Sequence, residues 1–142
     1  MIEMSLNFKD LVRFLEKNRY RFPDNLNKIK NLENFSEKVI KKGVVYFYYS
    51  NKQPVGLISG YMNDTENFTS YVNLLVISES YSHQGIGNSL LQTFETEAKK
   101  HGMLLNALKV VKGNESAIKL YKKSGYKIVA DDNDRYVLNK LL

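Results

Sequence analysis

The chain has 142 residues, 43% hydrophobic and 25% charged, with a net charge of +6, the size and balance of one domain that can bury its own core. It contains no cysteine, which excludes disulfides, thiolate metal sites and cysteine nucleophiles. No apolar run approaches the roughly 20 residues of a membrane-spanning helix, and no long basic run or recognition motif marks a nucleic-acid binder.

In chain order, Phe8, Leu11, Val12 and Leu15 keep the spacing of one helix face, with Ser5 or Asn7 as the cap. A second helix is expected over Leu32–Lys42, ended by Gly43. The period then changes. Val44–Tyr49 (VVYFYY) is β-branched and aromatic, as strands are. The turn Asn51-Lys52-Gln53-Pro54 and the run Val55–Tyr61 complete a β-hairpin. Met62–Asn67 is a polar loop, and Tyr71–Ile77 is apolar enough for a central strand. Ser78–Gly87 is a loop that feeds a helix carrying Leu90, Leu91, Phe94 and Ala98 to His101, with Gly102 as terminator. Leu104–Val111 is another strand. Glu115–Ser124 is a short helix capped by Asn114 and ended by Gly125. Tyr126–Ala130 and Tyr136–Leu141 are strands around the turn Asp131–Asp134. This order predicts a mixed α/β (α+β) fold, one domain over residues 1–142, with a parallel βαβ unit near its centre.

The most informative segment is Leu75–Leu91, where a strand ends, a loop turns, and Gly85 and Gly87 sit at a helix start. Glycine lets backbone approach a ligand closely. Free N–H groups at a helix N-terminus, with the helix dipole, form an anion site. A pyrophosphate suits it, and the basic surplus fits a phosphate-rich ligand. The P-loop pattern is absent. Leu90 stands where the third glycine of the dinucleotide fingerprint belongs. A second segment, Leu108–Tyr126, follows at a plausible separation.

Together these segments resemble the paired motifs of the GCN5-related N-acetyltransferase (GNAT) family. The first resembles its acetyl-CoA motif, L-x-V…[RQ]-x-x-G-x-[GA]. The second is matched by Leu108, Val110, Asn114, Ala117, Leu120, Tyr121, Gly125 and Tyr126. The resemblance covers about residues 44–142; the first 43 match only as a pair of helices.

The resemblance implies a central, mostly antiparallel mixed sheet flanked by helices, with a splay between two central parallel strands. It implies acetyl-CoA as co-substrate, no metal, and acetyl transfer to a primary amine of a small molecule by direct attack. A protein or peptide acceptor, and a non-catalytic CoA-binding regulatory domain, are the alternatives. The backbone of Leu75, Val76 and Ile77 would bond the pantetheine arm as another strand would. An N–H on the Leu74–Val76 strand would steady the oxyanion. His83, Gln84, Gly85, Ile86, Gly87, Asn88 and Ser89 would hold the pyrophosphate. Asn114 matches a family asparagine that bonds the cofactor or adjoining backbone, and it also reads as a helix cap. Tyr121 matches the family's general acid, which protonates the leaving thiolate; it also reads as a packed aromatic. Tyr126 reads as core.

Ser82 departs from the family's usual Arg or Gln, so His83 and Gln84 are the substitute donors. Lys119, Lys122 and Lys123 are candidates for the ribose phosphate or a solvated face. No residue is named as base. Tyr71 and Asn73 lie on the right strand but are poor bases; Asp64, Glu66 and Asp134 lie on loops. His83 and His101 are too widely spaced for a metal site. The protein is expected to be cytoplasmic, without membrane or nucleic-acid partners. Val44–Tyr49 and the final strand are candidate surfaces for a homodimer.

Overall fold

The computed structural model describes residues 1–21 and 31–142. Helix α1 spans Phe8–Lys17, and Asn7 caps it by accepting the Asp10 N–H at 3.0 Å. A 3₁₀ turn, Arg19–Arg21, follows. Helix α2 spans Leu32–Lys42, capped by Asn31 through the Asn34 N–H at 3.0 Å. Gly43 ends α2 with extended backbone, not the left-handed residue expected of a terminating glycine. Its role is close approach: a Cβ there would stand 2.4 Å from the Gly60 carbonyl oxygen.

Strands β2 (Val44–Ser50) and β3 (Gln53–Asp64) form the predicted hairpin. The turn is shorter than expected. Asn51 and Lys52 alone make it, both left-handed, as a two-residue hairpin loop requires. Pro54 lies within β3 beside a break in register, where a missing N–H is tolerated. β3 also takes in the first half of the stretch read as a polar loop, to Asp64, and the rest of that stretch is a turn. Strand β4 spans Thr69–Ile77, and a 3₁₀ turn, Glu79–Tyr81, follows it. Helix α3 (Ile86–Lys100), strand β5 (Leu105–Val111), helix α4 (Glu115–Lys123) and strands β6 (Lys127–Asp132) and β7 (Arg135–Leu141) complete the chain. The hydrophobic pattern did not reveal β1 (Ile2–Met4), a short strand defined only by pairing with Tyr46–Tyr48.

The seven strands form one sheet in the order β1-β2-β3-β4-β5-β7-β6, parallel only between β4 and β5. Helices α1 and α2 cover one face: Leu11, Phe14, Leu15, Leu32 and Val39 pack on Phe47, Leu57, Leu74 and Val76. Helix α3 covers the other with Leu90, Leu91, Phe94 and Ala98, joined by Tyr121 of α4. The strands offered as dimer surfaces, β2 and β7, have neighbours on both sides; the edges are β1 and β6.

One irregularity positions everything that follows. On β3, Gly60 faces Val72 and Ser59 faces Leu74, so Asn73 is an extra residue on β4. Such a bulge bends its strand and reverses which side chains face which layer. Val72 packs in the α3 layer, whereas Leu74 and Val76 pack in the α1–α2 layer. The β4–β5 ladder stops at the same place. It runs from Thr69 and Leu105 to Val72 and Leu108, after which the strands diverge. The expected splay is therefore present, and the bulge stands at its apex.

Candidate active site

The loop before α3 is built from backbone handedness. His83 (φ 62°) and Gly85 (φ 78°) are left-handed and bracket Gln84. Alternating handedness turns successive N–H groups to one side and makes an anion-binding concavity. Gly85 caps α3 without a side-chain hydrogen bond, and the first bond within the helix is Ser89 N–H to the Gly85 carbonyl at 3.1 Å. The N–H groups of Ile86, Gly87 and Asn88 thus precede the helical ladder and carry its positive dipole end.

These amides open onto a groove of about 910 Å³ between the N-terminal ends of α3 and α4. Leu75, Ile77, Tyr81, Ser82, His83 and Gly85 line one side; Asn114, Ala117, Lys119, Tyr121 and Lys123 line the other. At its inner end the groove meets a smaller cavity inside the strand fork, bounded by Asn73, Leu75, Leu108, Val110, Asn114 and Tyr121. Leu75, Asn114, Ala117 and Tyr121 border both. A continuous channel therefore runs from the α3 amides to the gap between β4 and β5. An unpaired strand edge at its inner end suits an amide-bearing arm.

Tyr121 stands where the two cavities join. Its ring is 7% exposed and meets the Tyr126 ring edge-on at 5.9 Å. Its hydroxyl has no hydrogen-bond partner among the described residues. Burial pushes its pKa well above the usual phenol value, and nearby Tyr71 adds to the effect. The phenol is therefore neutral and carries its proton at any physiological pH. Asn114 is the helix cap expected of it, its Oδ1 accepting the Ala117 N–H at 3.2 Å, and the residue also borders the channel.

Not every candidate reaches the channel. Gln84 does not line it; its Nε2 donates to the Ser80 carbonyl at 3.4 Å. Ser89 spends both its N–H and its hydroxyl on the Gly85 carbonyl. Val76 buries its side chain in the α1–α2 layer, so only its backbone is available. Lys119 and Lys123 line the groove, and Lys122 does not. Tyr81 lines it although no motif pointed there.

The loop carboxylates are elsewhere. Asp64 accepts the Glu66 and Asn67 N–H groups in the β3–β4 turn, at the closed end of the ladder. Asp131 and Asp132 are not turn residues but lie on β6, paired with Lys112 and Lys109. Beneath Tyr121 lies an unforeseen buried relay. Lys140 Nζ donates to Glu95 (2.9 Å), the Tyr126 hydroxyl donates to Glu95 (2.6 Å), Asn106 Nδ2 donates to Tyr126 (2.7 Å), and Ser70 donates to Asn106 (2.8 Å). Among the described residues no group of three His, Asp or Glu is placed to hold a metal.

A family model described as acetyltransferase (GNAT) family matches residues 10–126. No curated protein matches the chain. Among solved structures it is similar to a PaiA N-acetyltransferase from Thermoplasma acidophilum in complex with coenzyme A, at 20% identity over 100% of this chain and 99% of that one, TM-score 0.77. It is similar to the ribosomal-protein-alanine N-acetyltransferase from Brucella melitensis, at 18% identity, 100% and 99% coverage and TM-score 0.80. It is also similar to an aminoglycoside 6'-N-acetyltransferase complexed with coenzyme A, at 17% identity, 99% and 96% coverage and TM-score 0.82. At these identities the likeness speaks for the fold.

Proposed function

This chain belongs to the acetyltransferase (GNAT) family and is an acetyl-CoA-dependent acyltransferase; from that premise we propose that it acetylates a primary amine of a small molecule in the cytoplasm. The carrying observation is the channel that joins the α3 amides to the fork at Tyr121.

The residues present fit coenzyme A. The N–H groups of Gly85 to Asn88 receive the pyrophosphate, with Lys119 and Lys123 alongside. The free edge of Leu75–Ile77 pairs with the pantetheine amides. Bound acetyl-CoA supplies an activated acyl group as a thioester. The chain's own contribution is positioning, exclusion of water and movement of one proton. An N–H of β4 beside the bulge stabilises the negative charge that develops on the carbonyl oxygen. Tyr121 gives the proton on its hydroxyl to the departing sulfur. Burial weakens the phenol as an acid, but the same dry surroundings raise the basicity of the thiolate that receives the proton.

Among the described residues no carboxylate lines the cavity at the fork; in this reading the acceptor gives its proton to water. The Tyr20 hydroxyl donates to Glu79 at 3.2 Å, tying the turn after α1 to the turn after β4.

Calorimetric titration with coenzyme A, followed by thiol-release assays over amines and peptides, tests the reading. Binding with turnover on small amines is expected. No binding would remove the channel's assignment; binding without any turnover would leave a regulatory CoA domain.

A further inference from the structure

The geometry points to Asn73 as the residue that selects the acceptor, in favour of an amine with an oxygen on its neighbouring carbon, as in an α-amino amide. This rests on the acetyl-transfer reading and names its substrate class.

Asn73 is the extra residue of the β4 bulge and lines the cavity at the fork with Leu75 and Tyr121. The Ser59 hydroxyl, fully buried, donates to Asn73 Oδ1 at 2.6 Å. That bond occupies the amide oxygen and orients the group. Nδ2 then has no partner among the described residues. Ser59 shares a face with Leu57, since alternate strand residues do, and Leu57 packs in the α1–α2 layer. The Asn73 amide therefore lies on that face, opposite the CoA groove, where an attacking amine must arrive.

An N–H donor cannot recognise an ammonium or the lone pair needed for attack. It recognises an oxygen. Among the described residues no carboxylate lines the fork cavity to draw in a polycation, and its lysine, Lys109, is paired with Asp132 at 2.8 Å. Of the free polar groups that line this cavity among the described residues, Asn114 and Tyr121 belong to α4 and the CoA groove, and the Asn73 amide is the one on the α1–α2 face. A carbonyl on Nδ2 places the amine one carbon away, towards the fork. Such an acceptor also needs less help from a base, which the described residues do not place at the fork. An α-amino group titrates near about 8, against about 10.4 for an alkylamine, so much of it is already neutral near pH 8.

The test compares kcat/KM for phenylalaninamide and phenethylamine, which differ only in the carboxamide. The wild type is expected to prefer the amide. Asn73→Ala should lower the ratio about ten- to a hundredfold, the worth of one buried hydrogen bond, and Asn73→Asp should invert it. Coenzyme A affinity, read by calorimetry, checks that the fold survives. Equal losses on both acceptors, or no wild-type preference, overturn the assignment. Failure to acetylate any amine while coenzyme A binds overturns acetyl transfer itself. A hexapeptide with the same amino end separates the sources of the group: a higher kcat/KM on it overturns the small-molecule acceptor.

Discussion

Tyr121 is held by packing, edge-on against Tyr126 and without a hydrogen bond to its hydroxyl among the described residues. Tyr121→Phe therefore removes a proton and little else. It should lower kcat by about 10²- to 10⁴-fold, the usual worth of a positioned acid, while coenzyme A still binds with near wild-type heat. Gly85 offers a second test. A Cβ there would meet no atom within 4 Å, but its φ of 78° strains any L-residue. Gly85→Ala should cost about 1–2 kcal/mol in the left-handed region, tilt the amides that follow, and weaken coenzyme A in titration without altering the acceptor preference. At this scale the sequence was informative wherever chemistry is local. Asn7 and Asn114 cap helices, and Gly85 marks the turn. The left-handed His83 was not legible, because the loop around it imposes that conformation and no residue preference announces it.

The strand fork opens where one extra residue, Asn73, is inserted into β4. Beside it, Gly60 leaves no room for a side chain: a Cβ would lie 2.1 Å from the Tyr71 carbonyl oxygen and 2.8 Å from the Phe94 ring. Gly60→Ala should destabilise by about 3 kcal/mol, seen as a lower denaturant midpoint. The closed end of the fork is held by the relay through Ser70, Asn106, Tyr126 and Glu95. Tyr126→Phe strands the Asn106 amide and a Glu95 oxygen, so about 2 kcal/mol of stability should be lost in the same measurement. Strands β2 to β7 and the four described α-helices were foreseen from period and caps, β6 running two residues further than read. β1 was not, since three residues carry no period and depend on a partner 44 positions away, Ile2 opposite Tyr48 to Glu3 opposite Phe47 and Met4 opposite Tyr46 lying 46, 44 and 42 apart. The bulge was equally hidden. It is a mismatch between two strands, and neither shows it alone.

For the molecule as a whole, pH acts through groups at both ends of the scale. Burial raises the phenols of Tyr121 and Tyr126, the second also through its bond to Glu95. Raised values mean stability that is complete below the unfolded phenol's pKa of about 10 and is lost as pH climbs past it. The melting temperature should hold to about pH 9 and fall above 10. Asp132 goes the other way: its hydrogen bond and attraction to Lys109 lower its pKa. Its contribution is present above the ordinary carboxylate range and is lost as pH falls through the lowered folded value, so Asp132→Asn should differ from wild type at pH 7 and approach it as acidification proceeds below the ordinary carboxylate range. The parting of β4 from β5 has a last consequence, for a stored sample. A bare run of backbone beyond Val72 is a docking strip for any other extended chain. Ligand-free protein should slowly scatter light on ageing at high concentration, and coenzyme A, by filling that strip, should keep the solution clear.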